Sequence, residues 1–297
     1  MILKLSDYFE KEHIYVDSEF QDLGYSTNSG TKILTFCDNV HYFQLALKND
    51  SISAIIIKED LLTEIQETTK GICIARDPRR KFFDIYTDMY KKDCFTIPYS
   101  YGQDKTSKIA ESAQISPKSY IGKNTVISEN VVIKENVFIG ENCFIDAGAI
   151  LGNDGILYSF DDEENNIFIR HAGIVTIGNN ATVLSNATIV KSVFPNMPTH
   201  VGANSIIGIA TAIGHEARIG KNCKILGNCV IAKNAEIGEG TLIGSSSVVR
   251  ENTKIGKDVS VKAGSIVIKE VKDGESVSGN FAYNHNIHLK NFIKAQR

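Results

Sequence analysis

Two adjacent side chains suited to proton transfer, His215 and Glu216, interrupt a long run of aliphatic, glycine and small polar residues. The surrounding stretch, residues 211–223, reads TAIGHEARIGKNC. An imidazole with an ordinary pKa of about 6.5 can accept a proton near neutral pH. A carboxylate on its second ring nitrogen fixes the tautomer and raises the basicity of the first. The pair therefore predicts a general base, His215, supported by Glu216; the alternative is an exposed pair of side chains on a scaffold.

That cooperation between His215 and Glu216 sets a condition on the backbone. Neighbouring residues of a β-strand point to opposite faces, so the two side chains can meet only if they lie at a corner. We therefore expect a bend in the chain at this pair.

A second candidate site lies near the N-terminus, in the stretch TFCDNVHYF, which places Phe36, Asn39 and Tyr42 at three-residue intervals. Two aromatic faces can enclose a flat base, and an amide side chain offers one donor and one acceptor, the complement of the imide edge of uracil. Thymine presents the same edge, so uridine and thymidine both remain open. The alternative is ordinary core packing of aromatic residues around an asparagine turn.

The element that must position His215 is built from a six-residue repeat. An aliphatic residue recurs at every sixth position from Ile109 to Leu151 and again from Ile177 to Val267, with one break at Pro195. Six residues of helix advance a side chain by roughly 240°, which would scatter the aliphatic residues over several faces. An extended chain keeps them on one face, and a period of six is typical of β-helix solenoids.

The domain organisation follows from where this repeat is present. Residues 1–105 lack it, and the runs SAIIIK and GICIA together with an Asp77-Pro78 helix start predict a small α/β domain. Residues 106–272 predict the β-helix, with an inserted loop near 153–173, and residues 273–297 a short, partly helical tail. Loops on a rigid scaffold often carry binding sites, whereas the DDEE tip of the insertion is also typical of a solvated acidic loop.

Composition narrows the classes of partner. The 297 residues carry 32 Lys and Arg against 35 Asp and Glu, with no basic run of five or more, so nucleic acid is not an expected partner. The charged N-terminal stretch and the lack of a long apolar segment predict a cytoplasmic protein. His200 is interpreted as the other histidine of the β-helix, structural or substrate-lining. Two histidines are too few for a three-histidine zinc site, so no metal is expected.

The repeat resembles that of the hexapeptide-repeat transferases, which implies a left-handed parallel β-helix of about eight coils. The residues around Asn39 are similar to the uridine-binding domain of the UDP-3-O-acylglucosamine N-acyltransferases of lipid A biosynthesis, and GNDGILY (152–158) is similar to a motif of that family. The catalytic histidine of that family lies two residues after one of the recurring aliphatic residues of the repeat, as His215 does after Ile213. The resemblance implies that Phe36, Asn39 and Tyr42 bind uracil, that His215 is the base, and that active sites lie between the subunits of a homotrimer.

Three residues depart from the lipid A pattern. Glu216 stands where that family has Asn, Lys233 replaces a Gly, and Asn252 replaces a second His. The short tail DGESVSGNFAYNH (273–285) resembles the ending of CoA-dependent hexapeptide acetyltransferases, although Phe281 replaces the usual Pro. A His-Glu pair instead resembles the acetyl-CoA-dependent N-acetyltransferases that modify UDP-linked amino sugars for surface glycans. The departures favour an acetyl-CoA donor over an acyl carrier protein.

The resemblance thus implies an N-acyltransferase, first of all an N-acetyltransferase. It would transfer an acyl group from a CoA thioester to the free amine of a UDP- or dTDP-linked amino sugar, for surface polysaccharide or O-antigen. One alternative is the lipid A N-acyltransferase itself, with a carrier-protein donor. Another is a non-catalytic scaffold that binds nucleotide sugars. The sugar, the ring position of the amine and the acyl chain length stay open.

Overall fold

The chain folds into a three-sided β-helix with a small α/β domain packed against it. The computed structural model describes residues 2–65, 68–161, 163–279 and 293–294. The predicted left-handed parallel β-helix is confirmed, with eight, eight and nine strands in its three sheets. Most of the predicted helical tail lies outside the described residues. Within the described ranges, no helix is long and apolar enough to cross a bilayer.

Each coil of the β-helix contributes one short strand to each of three parallel sheets. The strands of sheet 1 are Gln114–Ile115, Val132–Ile133, Ile150–Asn153, Thr188–Val190, Ala212–Ile213, Val230–Ile231, Val248–Val249 and Ile266–Val267. The strands of sheet 2 are Gly102–Gln103, Tyr120–Ile121, Val137–Ile139, Val175–Ile177, Thr199–Val201, Arg218–Ile219, Glu236–Ile237 and Lys254–Ile255. The strands of sheet 3 are Lys108–Ile109, Val126–Ile127, Phe144–Ile145, Thr182–Val183, Ile206–Ile207, Lys224–Ile225, Leu242–Ile243, Ser260–Val261 and Ser276–Val277.

The pairing register stacks the recurring aliphatic residues of successive coils on one another, so that they form a column inside the β-helix. Ile219 pairs with Ile237, which pairs with Ile255, a spacing of 18 residues per coil. Ile213, Ile219 and their equivalents are fully buried in one continuous core. Burial of each such side chain contributes roughly 1.5–3 kcal/mol, so this column is the main source of stability for the β-helix.

Two inserted segments change the spacing. Ile139 pairs with Ile177, and Ile177 pairs with Val201, which places 20 and then 6 extra residues between stacked strands. Pro195 therefore does not occupy a column position, as the simple count of sixes had suggested, but lies in the second insertion. Both insertions leave the β-helix at the corner between sheets 1 and 2.

The α/β domain contains a five-stranded sheet with two helices. Its strands, in spatial order, are Ile14–Val16, Gly71–Ile74, Ile52–Ile57, Ile33–Cys37 and Asp22–Leu23. Leu3–Lys4 pairs with Glu19–Phe20 outside this sheet, and short 3-10 helices cover Leu5–Asp7, Lys11–His13 and Glu59–Glu64.

The helices are α1 (Val40–Lys48) and α2 (Pro78–Lys91), each begun by a capping side chain. The Asn39 side chain accepts the Tyr42 N–H, and Asp77 accepts the Arg80 N–H, so both satisfy an otherwise free donor of the first turn. The predicted helix after Asp77-Pro78 is confirmed.

The insertions attach the α/β domain to the β-helix. The first contains an antiparallel hairpin, Tyr158–Phe160 with Asn166–Phe168. Side chains of both insertions, including Phe194, join the core of the α/β domain. The buried Tyr86 hydroxyl on α2 lies 2.9 and 3.0 Å from the carbonyl oxygens of Arg170 and Val193. Leu157, Ile169 and Ala172 of the insertion near 153–173 therefore pack against the α/β domain, whereas most side chains of its hairpin are exposed.

Candidate active site

His215 and Glu216 lie at the corner between sheets 1 and 2, where the chain bends. Glu216 has φ of 60°, in the left-handed region. Asn234 and Asn252 occupy the equivalent positions of the next two coils and also have positive φ. Asparagine tolerates this region, whereas a longer side chain there costs of order 1 kcal/mol. The bend brings His215 Nδ1 to 3.0 Å from Glu216 Oε2. The condition set by the sequence, a corner at this pair, is met.

The carboxylate of Glu216 is buried and both its oxygens are used. Oε1 accepts the Val193 N–H at 3.1 Å, while the Glu216 N–H donates to Thr199 Oγ1 at 2.7 Å. The residue is 3% exposed and His215 is 8% exposed. Because a carboxylate only accepts hydrogen bonds, Nδ1 is assigned as the protonated ring nitrogen of His215. Nε2 is then left unprotonated, as a general base requires.

A second histidine, His171 of the first insertion, packs against His215 and was not identified from the sequence. The ring centroids are 5.2 Å apart and the planes 86° to one another. His171 is fully buried, and burial, followed by the proximity of His215, lowers its pKa. His200 is the other histidine on the β-helix strands, as interpreted, but the histidine that contacts His215 comes from the insertion. The signal that could have found His171 is its place inside an insertion that returns to the corner of His215.

His200 lies apart from this pair. It is on the strand Thr199–Val201 of sheet 2, with Nδ1 2.8 Å from the hydroxyl of Thr176. Burial and then the charge of Arg218 lower its pKa. These contacts give it a structural role in stacking adjacent coils.

Charged groups behind His171 hold it in place. Asp154 Oδ2 lies 2.9 Å from Arg170 Nη1, and Asp154 Oδ1 accepts the His171 N–H at 3.1 Å. Lys191, almost wholly buried, places Nζ 3.3 Å from Glu135 and 3.6 Å from Asp154. Burial acts to raise the pKa of Asp154, but the Arg170 hydrogen bond and the Lys191 charge outweigh it and lower that pKa. The Asp154 carboxylate is thus a fixed anchor for the His171 backbone.

The three residues of the N-terminal candidate site line one cavity of about 370 Å³. Phe36 is half-buried, and Tyr42 is 50% exposed. Because Asn39 Oδ1 already caps α1, part of its acceptor capacity is used and its Nδ2 donor stays available. The β-helix supplies the facing wall through Asn234 and Asn252, the corner residues that follow Glu216 by one and two coils.

A second cavity, of about 500 Å³, continues from the first towards Glu216. The two share Tyr25, Thr27 and the corner asparagines as walls, and Glu216 lines the second. Burial, and then the charge of Glu216, raise the pKa of Tyr25. The fold therefore brings Phe36, Asn39, Tyr42 and Glu216 to one cleft between the α/β domain and the β-helix. His215 is buried and is connected to this cleft by its hydrogen bond to Glu216.

A metal-binding cluster of side chains is absent from the part of the chain that the structure describes. No group of three or more His, Cys, Asp or Glu side chains there is arranged to hold an ion.

Comparisons with known proteins bear on the β-helix. Residues 234–269 match the family described as bacterial transferase hexapeptide (six repeats). This segment of the β-helix therefore matches bacterial transferase hexapeptide repeats, in agreement with the resemblance. No significant match was found among curated proteins.

Solved structures of similar shape include two UDP-N-acetylglucosamine acyltransferases. The Campylobacter jejuni protein is 20% identical, over 65% of this chain and 82% of that one, with a TM-score of 0.48. The Francisella novicida protein is 25% identical, over 64% and 73%, with a TM-score of 0.43.

Proposed function

We propose that this protein is an N-acyltransferase that transfers an acyl group from a thioester to the free amine of a nucleotide-linked amino sugar. The observation that carries the proposal is the buried His215–Glu216 hydrogen bond, at a corner that opens onto the cleft of Phe36, Asn39 and Tyr42. The match to transferase hexapeptide repeats supports the reaction class.

In this proposal the base and its partner work as a unit. The amine nitrogen attacks the thioester carbonyl carbon while His215 Nε2 accepts one of its protons. Glu216 stabilises the imidazolium through Nδ1–H and holds the ring in orientation, as the acid of a catalytic triad does. The C–S bond then breaks, and the departing thiolate takes the proton from His215, which restores the base.

The acceptor would span the cleft. Phe36 and Tyr42 would contact the base of the nucleotide, with the Asn39 amide donor directed at its polar edge. The diphosphate and sugar would pass the corner asparagines, Asn234 and Asn252, towards Glu216. Stacked strands lie about 4.8 Å apart, so two coils cover roughly 10 Å, a distance that suits a sugar diphosphate.

Acetyl-CoA is the proposed donor, on the strength of the His-Glu pair, and the cytoplasm is the proposed location. We also propose a homotrimer with active sites between subunits. An outward apolar stripe along sheet 1 supports it and includes Ile150, Val230 and Ile266, which are 36%, 43% and 60% exposed. A sedimentation measurement that finds a monomer at micromolar concentration would remove the trimer.

The experiment is an acyl-transfer assay of the full chain with UDP- and dTDP-linked amino sugars, each with acetyl-CoA or with 3-hydroxyacyl carrier protein. We expect turnover with acetyl-CoA and loss of at least 100-fold in kcat for His215→Asn, the range expected for removal of a general base. Turnover with the carrier protein alone would favour the lipid A reaction. Nucleotide-sugar binding without any turnover would favour a non-catalytic scaffold.

A further inference from the structure

Gly155 lies against the edges of the two histidine rings and leaves no room there for a side chain. A Cβ placed on Gly155 would lie 3.1 Å from His171 Cε1, 3.2 Å from His215 Cδ2 and 3.0 Å from Val190 Cγ1, all closer than ordinary van der Waals contact. Each of the two ring carbons is bonded to Nε2 of its own ring. The missing side chain at Gly155 therefore allows the close contact between the two rings, whose centroids are 5.2 Å apart.

The imidazole of His171 has an unprotonated nitrogen with no hydrogen-bond donor near it among the described residues. Its Nδ1 lies 2.9 Å from the Lys191 carbonyl oxygen, which can only accept, so the proton is on Nδ1. Nε2 is buried and has no hydrogen-bond partner among the described residues. A buried acceptor left unpaired is destabilising, which points to a partner that arrives with substrate or solvent.

The groups around His171 fit a proton acceptor that is neutral at rest. His215 and Glu216 face it from the corner and Asp154 from the insertion, while Lys191 and Arg170 are both engaged with Asp154. Burial lowers the pKa of His171, so the ring stays unprotonated below the pH at which an ordinary histidine charges. The carboxylates of Asp154 and Glu216 are close enough to stabilise a transient imidazolium.

Amide formation from an ammonium ion releases two protons, and this number favours a second proton acceptor in the site. An amine that arrives as an ammonium has three N–H bonds, and the amide product keeps one. Of the two protons lost, one leaves with the thiolate as a thiol and the other is released to solvent. A hydroxyl acceptor loses one proton only. A lone histidine can hold one proton at a time, so an ammonium substrate needs a second site.

We propose that His171 is a second proton acceptor of the reaction, paired with His215 through the ring contact beside Gly155, and that this pair lets the enzyme use its acceptor as an ammonium ion. The inference rests on the proposed function. The first proton passes from the ammonium through His215 to His171 Nε2. His215 Nε2 then accepts the second proton as the nitrogen attacks, and the thiolate takes that proton. His171 returns the first proton to solvent after the product leaves.

The test compares the pH dependence of kcat/KM in His171→Asn and wild-type full-length protein, with acetyl-CoA and the acceptor found to turn over. The asparagine side chain of the variant can still donate an N–H to the Lys191 carbonyl but has no titratable nitrogen. Above the pKa of the acceptor amine, we expect wild type and variant to agree within about threefold. Below it, the ratio of wild type to variant should rise towards tenfold per pH unit, because the variant can use only the free amine.

Two further variants separate this role from a structural one. Gly155→Ala adds a methyl group 3.1 Å from the His171 ring and 3.2 Å from the His215 ring, so the two rings must separate by a few tenths of an ångström. Because the φ of Gly155 is not in the left-handed region, we expect the variant to fold and to show the same pH-dependent loss. His200→Asn removes another partly buried β-helix histidine and should leave the ratio near one at every pH. Should His171→Asn fail to fold, Gly155→Ala decides the matter alone.

The outcomes distinguish the inference from the proposed function. A ratio that is constant with pH, or equal activity of wild type and the Gly155→Ala variant, would overturn the role of His171 while His215→Asn remains inactive. Full activity of the His215→Asn variant would contradict the proposed function, and therefore also the inference that rests on it.

Discussion

The Glu216 carboxylate lies 3.0 Å from Nδ1 of His215, from a backbone position that the following coils give to asparagine. A Glu216→Gln substitution keeps the size of the side chain but can accept only one of the two hydrogen bonds. We expect kcat to fall about 10- to 100-fold with little change in KM, because the tautomer and basicity of His215 lose their support.

The measurement is steady-state kinetics at fixed pH, with Glu236→Gln as the control. Glu236 is an exposed carboxylate that lines the same cavity but makes no hydrogen bond to His215 in the described part of the chain. Equal losses in both variants would mean that the negative charge of the cleft matters, and not the contact with the base.

Tyr42 should contribute to nucleotide affinity without affecting stability. It is half exposed in the cavity, and stacking of a base on an aromatic ring contributes about 1–3 kcal/mol. Tyr42→Ala should weaken UDP binding at least fivefold by calorimetry while Tm stays unchanged. Tyr15→Ala, at an exposed tyrosine of the same domain, is the control. Asn39 is a poor choice here, since its loss also removes the cap of α1.

The column aliphatics should dominate the stability of the β-helix. Ile225 is fully buried between Ile207 and Ile243, whereas Lys224 on the same strand points outwards. Ile225→Ala should lower the free energy of unfolding by about 2–5 kcal/mol, and Lys224→Ala by less than about 0.5 kcal/mol. Urea denaturation measures both. Similar values for the two would contradict a single buried column.

Stability should also depend on pH through two histidines. His171 and His200 both have lowered pKa values in the folded protein, whereas in the unfolded chain a histidine titrates near its ordinary value of about 6.5. As the pH falls through 6.5, the unfolded chain takes up protons that the folded chain does not. The free energy of unfolding should therefore fall, by at most about 1.4 kcal/mol per pH unit for each histidine.

Urea denaturation at pH 8, 7, 6 and 5.5 measures this slope. His171→Asn should reduce the slope between pH 6.5 and 5.5, since one of the two groups is gone. A slope that is the same in the variant would show that other groups carry the pH dependence.

The β-helix could be predicted from the six-residue pattern because every unit of the repeat has the same local structure. Each unit has an extended backbone, one buried aliphatic side chain and one corner. The same pattern marked Glu216 as unusual, since its equivalents in the following coils are Asn234 and Asn252. Local sequence was therefore enough to single out the His215–Glu216 pair.

His171 and the shared cleft were not predictable in this way. The contact between His171 and His215 depends on how a 20-residue insertion folds back, and the cleft depends on how the α/β domain docks through Tyr86. No repeating pattern in the sequence indicates either arrangement. Both are set by tertiary packing between segments far apart in the chain.

The stacking of identical coils has a consequence for substrate choice. Asn234 and Asn252 stand one and two coils beyond Glu216 and line the wall of the cleft, so the length of this wall can change only in whole steps of about 4.8 Å. Removal of 18 residues between Glu216 and Asn252 would shorten the wall by one coil and leave contacts for a shorter acceptor. The α/β domain would keep its place, because both insertions that hold it precede Glu216.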